Sequence, residues 1–300
     1  MVFRWLGLLE VDERVVYYRG FAMARGRPHK ELTDYLPEVE AGIRNLAEER
    51  SYRTHPASHF LQTVVDTENA ITHCEQNFTK RRGGDYTQVS NKHLRTINRA
   101  VLPALMGHFE IFQISLFAGL VEATRMVEGF DAKIFAKELK KSYGLEINVQ
   151  RSLAFRGREV DIGDLIADSL PGWHDSSKVN GYFALVCKDS QFYSNNNIRT
   201  LNVLWQFRHS IVHTGGRLTT ADAHKLTDLQ GFENVRLDFE AKFLFGVARR
   251  FHTVVGKSVQ RLKERFFQLR LRQNLTESEE EELQNLFECQ SPRLSWLCSE

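Results

Sequence analysis

The chain has 300 residues, 42% hydrophobic and 26% charged, enough for a substantial core and long enough for two compact units or one large helical one. Forty Lys and Arg against 38 Asp and Glu leave a net charge of +2, which excludes a global polycation that coats nucleic acid, so any basic surface must be local. The cysteines Cys74, Cys187, Cys289 and Cys298 form no CxxC pair, and no His stands at zinc-ligand spacing. Neither a disulfide framework nor a metal site is expected, and a reducing, cytoplasmic setting fits this usage.

The first residues, MVFRWLGLLEVDERVV, reach Glu10, Asp12 and Glu13 before a small-residue cleavage site can follow, so no signal peptide is expected. Segments 36–50 and 57–80 space their apolar residues by three and four, and RRGGDY at 81–86 punctuates the second, which predicts two helices and a loop. Residues 90–128 follow as a long helix, kinked near Pro103, whose middle is apolar all round and suits a central core helix. Its run from Val101 to Val121 is broken by His108, Glu110 and Gln113, costly in a bilayer and ordinary in a soluble core, so no membrane span is expected.

Pro171 is the sole proline between Pro103 and Pro292, which leaves most of the chain open to long helices. Helical patterns recur at 131–142, 161–169, 175–188, 196–213, 220–229 and 236–272, with 145–160 as the best place for a short hairpin. Thr276 followed by Glu279 is a capping box that opens a final, acidic helix. The expected organisation is an all-α chain in three parts: an N-terminal helical extension over 1–88, a helical domain over 89–272 and an acidic C-terminal helix and tail over 273–300.

Charge changes sign across the last two helices. Eight bases lie between Arg249 and Arg272, among them Arg249, Arg250, Lys257 and Arg261, with Glu264 the lone acid, whereas Glu277 to Glu288 holds six acids and no base. Either the two helices fold back on each other, or the basic one faces a polyanion such as RNA.

The stretch LNVLWQFRHSIVHTGG, Leu201 to Gly216, carries the most chemistry. At about 100° per residue, Leu201, Leu204, Trp205, Phe207, Ile211 and Val212 share one broad arc, and Arg208 falls inside it. A guanidinium there needs an anion, either a carboxylate of this chain such as Glu110 or a phosphate. His209 and His213, four apart, lie on the polar side, and Gly215-Gly216 stops the helix just beyond them. Arg208 and His213 stand about 140° apart around the axis, so they meet only if the last turn loosens or a second copy supplies half of the site.

FRHSIVHTGG resembles the Arg-x(4–6)-His signature of HEPN domains, the higher eukaryotes and prokaryotes nucleotide-binding family, and LMGHFEIFQISLFAGLVEA with Glu110 is similar to an earlier core helix of that family. The resemblance spans about residues 90–255. It implies an all-α HEPN-like helical bundle that dimerises and, in many members, cuts RNA without a metal or cofactor, as a toxin or antiviral, abortive-infection effector. On that resemblance His213 is the acid/base at the ribose 2′-hydroxyl or the leaving oxygen, since histidine titrates near neutrality. Arg208 stabilises charge on the scissile phosphate, His209 assists, and Glu110 orients Arg208. The products are a 2′,3′-cyclic phosphate and a 5′-hydroxyl. Expected partners are RNA, a second copy of the chain, and an antitoxin or defence-complex protein.

Plainer readings stand beside this one. Arg208 and Glu110 also suit a structural ion pair, His213 suits a helix C-terminus on electrostatic grounds alone, and the basic helix suits a solvated face. Phe239, Phe243 and Phe251 read as core, and Cys187 as a small buried hydrophobe. The rival function is a non-catalytic HEPN subunit that binds or dimerises within a larger complex, and a His213 covered by the acidic helix would favour it.

Overall fold

The computed structural model describes residues 51–147, 161–188 and 190–293. The chain divides into two compact units, Met1–Ala47 and Glu48–Glu300, and the second is described below. The expected helix at 36–50 and all but the first residues of the 145–160 hairpin lie outside the described residues.

Among the described residues the fold is all-α. The helices are α1 (Pro56–Asn77), α2 (Gln88–Ala123), α3 (Ala132–Tyr143), α4 (Ile162–Ser169), α5 (Ser176–Val186), α6 (Asn195–His213), α7 (Thr220–Ala223), α8 (Ala241–Phe267) and α9 (Glu277–Leu286). Strand-like pairing among them is confined to three isolated bridges. Helix α1, assigned from the sequence to the N-terminal extension, packs with α2 and α8 inside the larger unit.

Helix α2 is the axis of the bundle, with α1, α4, α5, α6, α8 and α9 all packed on it. Its N-terminus is set by Thr87, whose hydroxyl accepts from the Ser90 amide, and it runs through Pro103 to Ala123 before a short 3-10 turn at Thr124–Met126. By length and composition this helix could cross a membrane, but 56% of its apolar window is buried within the protein. Gln113, fully buried, is satisfied there: its amide donates to the Trp173 carbonyl and accepts from the Tyr193 hydroxyl.

Phenylalanines knit the centre. Phe60 of α1 lies 5.4 Å from Phe109 and 5.5 Å from Phe112 of α2, and 5.3 Å from Phe251 of α8, ring centre to ring centre. Phe109 also meets Trp205 of α6 at 6.2 Å. The ring next to Glu110 therefore touches three other helices, which fixes where Glu110 emerges.

Two expected helices differ. Segment 220–229 is split into α7 and a 3-10 turn at Thr227–Leu229. The 236–272 segment becomes helical only at Ala241, because Leu237 and Phe239 point into the core while Asp238 and Glu240 point out, a period of two. That extended stretch pairs with the exit of α6: Leu237 N–H donates to the Gly216 carbonyl at 2.7 Å and Leu218 N–H to the Val235 carbonyl at 2.9 Å.

Helix α9 opens on the expected capping box. Thr276 Oγ1 accepts from the Glu279 amide, and the Glu279 carboxylate from the Thr276 amide. It packs on α2 and ties to its surroundings through Arg125–Glu282 and Arg272–Glu279, so the acidic helix folds mainly onto α2 rather than along the basic one.

Candidate functional site: the exposed end of helix α6

Helix α6 begins at Ser194, whose hydroxyl accepts from the Asn197 amide, and is anchored by the buried Leu201, Leu204 and Trp205. It ends in a glycine pair built for the purpose. Gly215 and Gly216 have φ of +63° and +85°, and the Gly216 amide donates back to the Ser210 carbonyl at 2.9 Å.

The apolar arc expected over 201–212 is buried only in its first half. Phe207 and Ile211 are partly buried and Val212 is 57% exposed, while the polar Gln206 and Ser210 are buried and hydrogen bonded to each other. As a result, Arg208, Val212, His209 and His213 form one solvent-facing strip around the last turns, in that angular order over about 140°. Arg208 and His213 are its two edges.

Arg208 is not sealed in the core; its side chain is 35% exposed. Its guanidinium lies 3.8 Å from the Glu110 carboxylate and 5.5 Å above the Trp205 ring. The anion required by the sequence is thus a carboxylate of this chain, with an aromatic face as second support. His213 is exposed, and its ring centre lies 4.7 Å from that of His209. Helix α9 packs on α2 and leaves His213 uncovered.

Sequence reasoning missed Asp222. It sits on α7 with a side chain only 7% exposed, 3.9 Å from His209 Nε2, and it accepts from Lys225 Nζ at 2.8 Å. Burial, the largest single influence, raises its pKa; hydrogen bonds from Lys225 and Thr219 and the charges of Lys225 and His209 outweigh it, so the carboxyl lies below its ordinary value. Only Thr219-x-x-Asp222, an N-cap spacing, hinted at it in the sequence.

The basic residues of α8 divide. Arg249, Arg250 and Lys257 are exposed, whereas Arg261 is half-buried and spends its donors on the Phe192 and Lys257 carbonyls. The start of α8 meets α6 through Phe243 and Phe207, 6.2 Å apart, and from Phe243 the bases run away along the axis, Arg261 about 27 Å further on.

A cavity of about 500 Å³ lies apart from this strip, lined by Arg53, Glu122, Asp161, Asp164, Glu281 and Glu282 among others. Its walls are predominantly anionic, the wrong sign for a phosphate. Several of these carboxylates are already engaged: Glu122 accepts from the Gly163 amide at 2.6 Å, and Arg53 lies 2.5 Å from Asp161 and 3.0 Å from Asp164. Among the described residues no group of three or more His, Cys, Asp and Glu is placed to hold a metal ion. Cys74 and Cys187 are free, and burial pushes the Cys187 thiol up to about 12.

No family model matches the chain, and no match was found among curated proteins or solved structures.

Proposed function

We propose that the chain is a HEPN-like, metal-independent endoribonuclease whose active site is completed by a second copy of itself. The observation that carries this reading is the strip at the end of α6: an exposed His213 beside His209 at one edge, and Arg208, held by Glu110 and Trp205, at the other. Within one copy the two edges face about 140° apart. A two-fold axis through the exposed Val212 between them would set Arg208 of each copy opposite His213 of the other.

In that arrangement His213 takes the 2′-hydroxyl proton or protonates the leaving 5′-oxygen, and Arg208 offers paired N–H donors to the phosphate as charge develops. The 2′-oxygen attacks phosphorus, the bond to the 5′-oxygen breaks, and a 2′,3′-cyclic phosphate and a 5′-hydroxyl remain. Arg249, Arg250 and Lys257 supply backbone contacts to the RNA further along. The motif resemblance supports a toxin or antiviral, abortive-infection role, with an antitoxin or defence-complex protein as regulator.

The test is RNA cleavage by the purified protein in excess EDTA, comparing wild type with His213→Ala and Arg208→Ala and identifying product ends. Cyclic-phosphate ends that survive chelation and vanish in both variants are the expected result. A second reading, a non-catalytic HEPN binding or dimerisation subunit, is favoured by the engagement of Arg208 with Glu110 and Trp205 in its own copy. Intact RNA in every lane, with RNA binding or dimerisation retained, would select it.

A further inference from the structure

The backbone that leaves α6 gathers four arginines around one carboxylate. Just after the glycine stop, Arg217 forms an isolated antiparallel bridge with Arg236. The flanking hydrogen bonds, from the Leu218 and Leu237 amides to the Val235 and Gly216 carbonyls, make it a non-hydrogen-bonded pair. In such a pair the facing α-carbons stand only about 4.5 Å apart and the side chains are at their closest. Leu218 and Leu237 are buried, so Arg217 and Arg236 both point to solvent on one side. Like charges set opposite each other in this way weaken the pairing. Asp238, two residues after Arg236, shares that side. Arg95 and Arg99, about one turn apart on α2, come up to the same carboxylate, and Arg99 packs so near the Gly216 backbone that its Cδ would stand 3.0 Å from a β-carbon there.

Asp238 does not neutralise this cluster. Arg99, Arg236 and Arg95 lie 3.6, 3.8 and 4.0 Å from its carboxylate, each beyond hydrogen-bond distance. By contrast, Arg125 closes a two-pronged pair on Glu282. A guanidinium carries five donors and a carboxylate about four acceptor positions, so Asp238 is shared by three arginines and saturates none. Arg95 Nε donates to Asn91 Oδ1 at 3.3 Å, and among the described residues no acid lies within ion-pair distance of Arg217. Glu240, the next acid along the chain, is held by Lys242 at 2.7 Å. Three positive charges are therefore in excess at this corner, against +2 for the entire chain. Arg95, Arg217 and Arg236 are exposed and Arg99 is half-buried. An anion placed among them would relieve the repulsion, and planar forks suit the paired oxygens of a phosphate.

We propose that Arg95, Arg99, Arg217 and Arg236 form a phosphate site at the exit of α6 that holds the backbone of a single-stranded RNA. The inference rests on the nuclease reading for the identity of the strand: Arg217 follows His213 by four residues, which limits their α-carbons to about 14 Å of separation. The site contributes affinity and register, while the chemistry stays with the α6 strip.

The experiment uses the full chain carrying His213→Ala, in EDTA, and a fluorescein-labelled RNA of about twelve nucleotides read by polarisation. Adding Arg217→Gln and Arg236→Gln should weaken binding at least tenfold. It should also lower the slope of log Kd against log salt by about 1.4, the share of two phosphates on a single strand. The melting temperature should hold or rise, because the pair removed is repulsive; if the double variant nevertheless fails to fold, Arg217→Gln alone should lower the slope by about 0.7. Asp238→Asn, which removes the competing anion, should tighten binding at least threefold, a gain that a merely structural cluster would not give. Cleavage by wild type together with RNA affinity and salt slope unmoved in the double variant would overturn the site and keep the nuclease. Weakened binding in the double variant with no cleavage by wild type would keep the site and remove the nuclease. A chain with no affinity for RNA that instead binds a glutamate-rich peptide would overturn the proposal in favour of an acidic protein partner.

Discussion

Two carboxylates support the histidine and arginine of the α6 strip, and their burial separates their consequences. Glu110 and Arg208 lie 3.8 Å apart with side chains 27% and 35% exposed, so solvent screens the pair and Glu110→Gln should cost under about 1 kcal/mol in urea unfolding. Asp222, 7% exposed, is a buried anion beside both Lys225 and His209, and its removal takes away the Lys225 hydrogen bond and leaves a small void at the start of α7. Asp222→Ala should cost about 1–3 kcal/mol in the same measurement. The reverse ranking would show that Arg208, not Asp222, is the pinned end of the strip. A third residue is sensitive for steric reasons: a β-carbon on Gly181 of α5 would be set against the Tyr143 hydroxyl of α3. Gly181→Ala should destabilise by about 1–3 kcal/mol, and Tyr143→Phe, which removes the oxygen, should restore part of the loss.

At the level of elements, α6 has a finished start, a finished stop and an unfinished face. Val212, 57% exposed between Arg208 and His213, is the apolar residue a second copy would cover. Val212→Glu should convert a dimer to a monomer in light scattering and reduce RNA cleavage at least tenfold while leaving thermal stability nearly unchanged; a dimer that survives the change would move the interface elsewhere. Helix α9 depends on its cap. Thr276→Ala removes both its side-chain bonds and should cost about 1 kcal/mol in stability. The termini of α3, α4, α5 and α6 and the starts of α1, α2 and α9 were legible because caps, prolines and three-four spacing are local signals, written within a few residues of where they act; α2 ends at Ala123 rather than at 128, where a 3-10 turn takes over. The 236–240 stretch was misread as helix because Phe239 stands four residues before Phe243 and so continues the apolar face of α8, and only the pairing with Gly216, some twenty positions earlier, decides for extended backbone.

Across the whole molecule, the same distinction between local and distant signals explains what the sequence conceals. That Arg208 needs an anion follows from its place on α6, and Glu110 was a nameable partner; that Asp222 would stand by His209, or that Arg293 would seek Glu68, 225 positions away, has no local signature. His252, whose Nε2 lies 2.8 Å from Ser291 Oγ, makes the stability of the protein depend on pH. Burial, the dominant influence, lowers its pKa from the ordinary 6.5, against smaller opposing effects from the Ala248 carbonyl and the charge of Glu68, with Arg293 adding to the depression. The folded protein thus holds His252 neutral where the unfolded chain has begun to bind a proton, so the unfolded state is favoured by acid. The stability from this residue is complete above about pH 6.5 and is lost as pH falls through the lower, folded-state value. The depressed carboxyls, among them Asp222 and Glu279, act in the same direction but only below about pH 4.5, which leaves a window for His252 alone among the shifted groups. Between pH 7 and pH 5 the unfolding free energy of wild type should therefore fall, and His252→Gln, whose amide still accepts from Ser291 but does not titrate, should show a flatter profile. Parallel profiles for the two proteins would mean that the proton is taken up elsewhere.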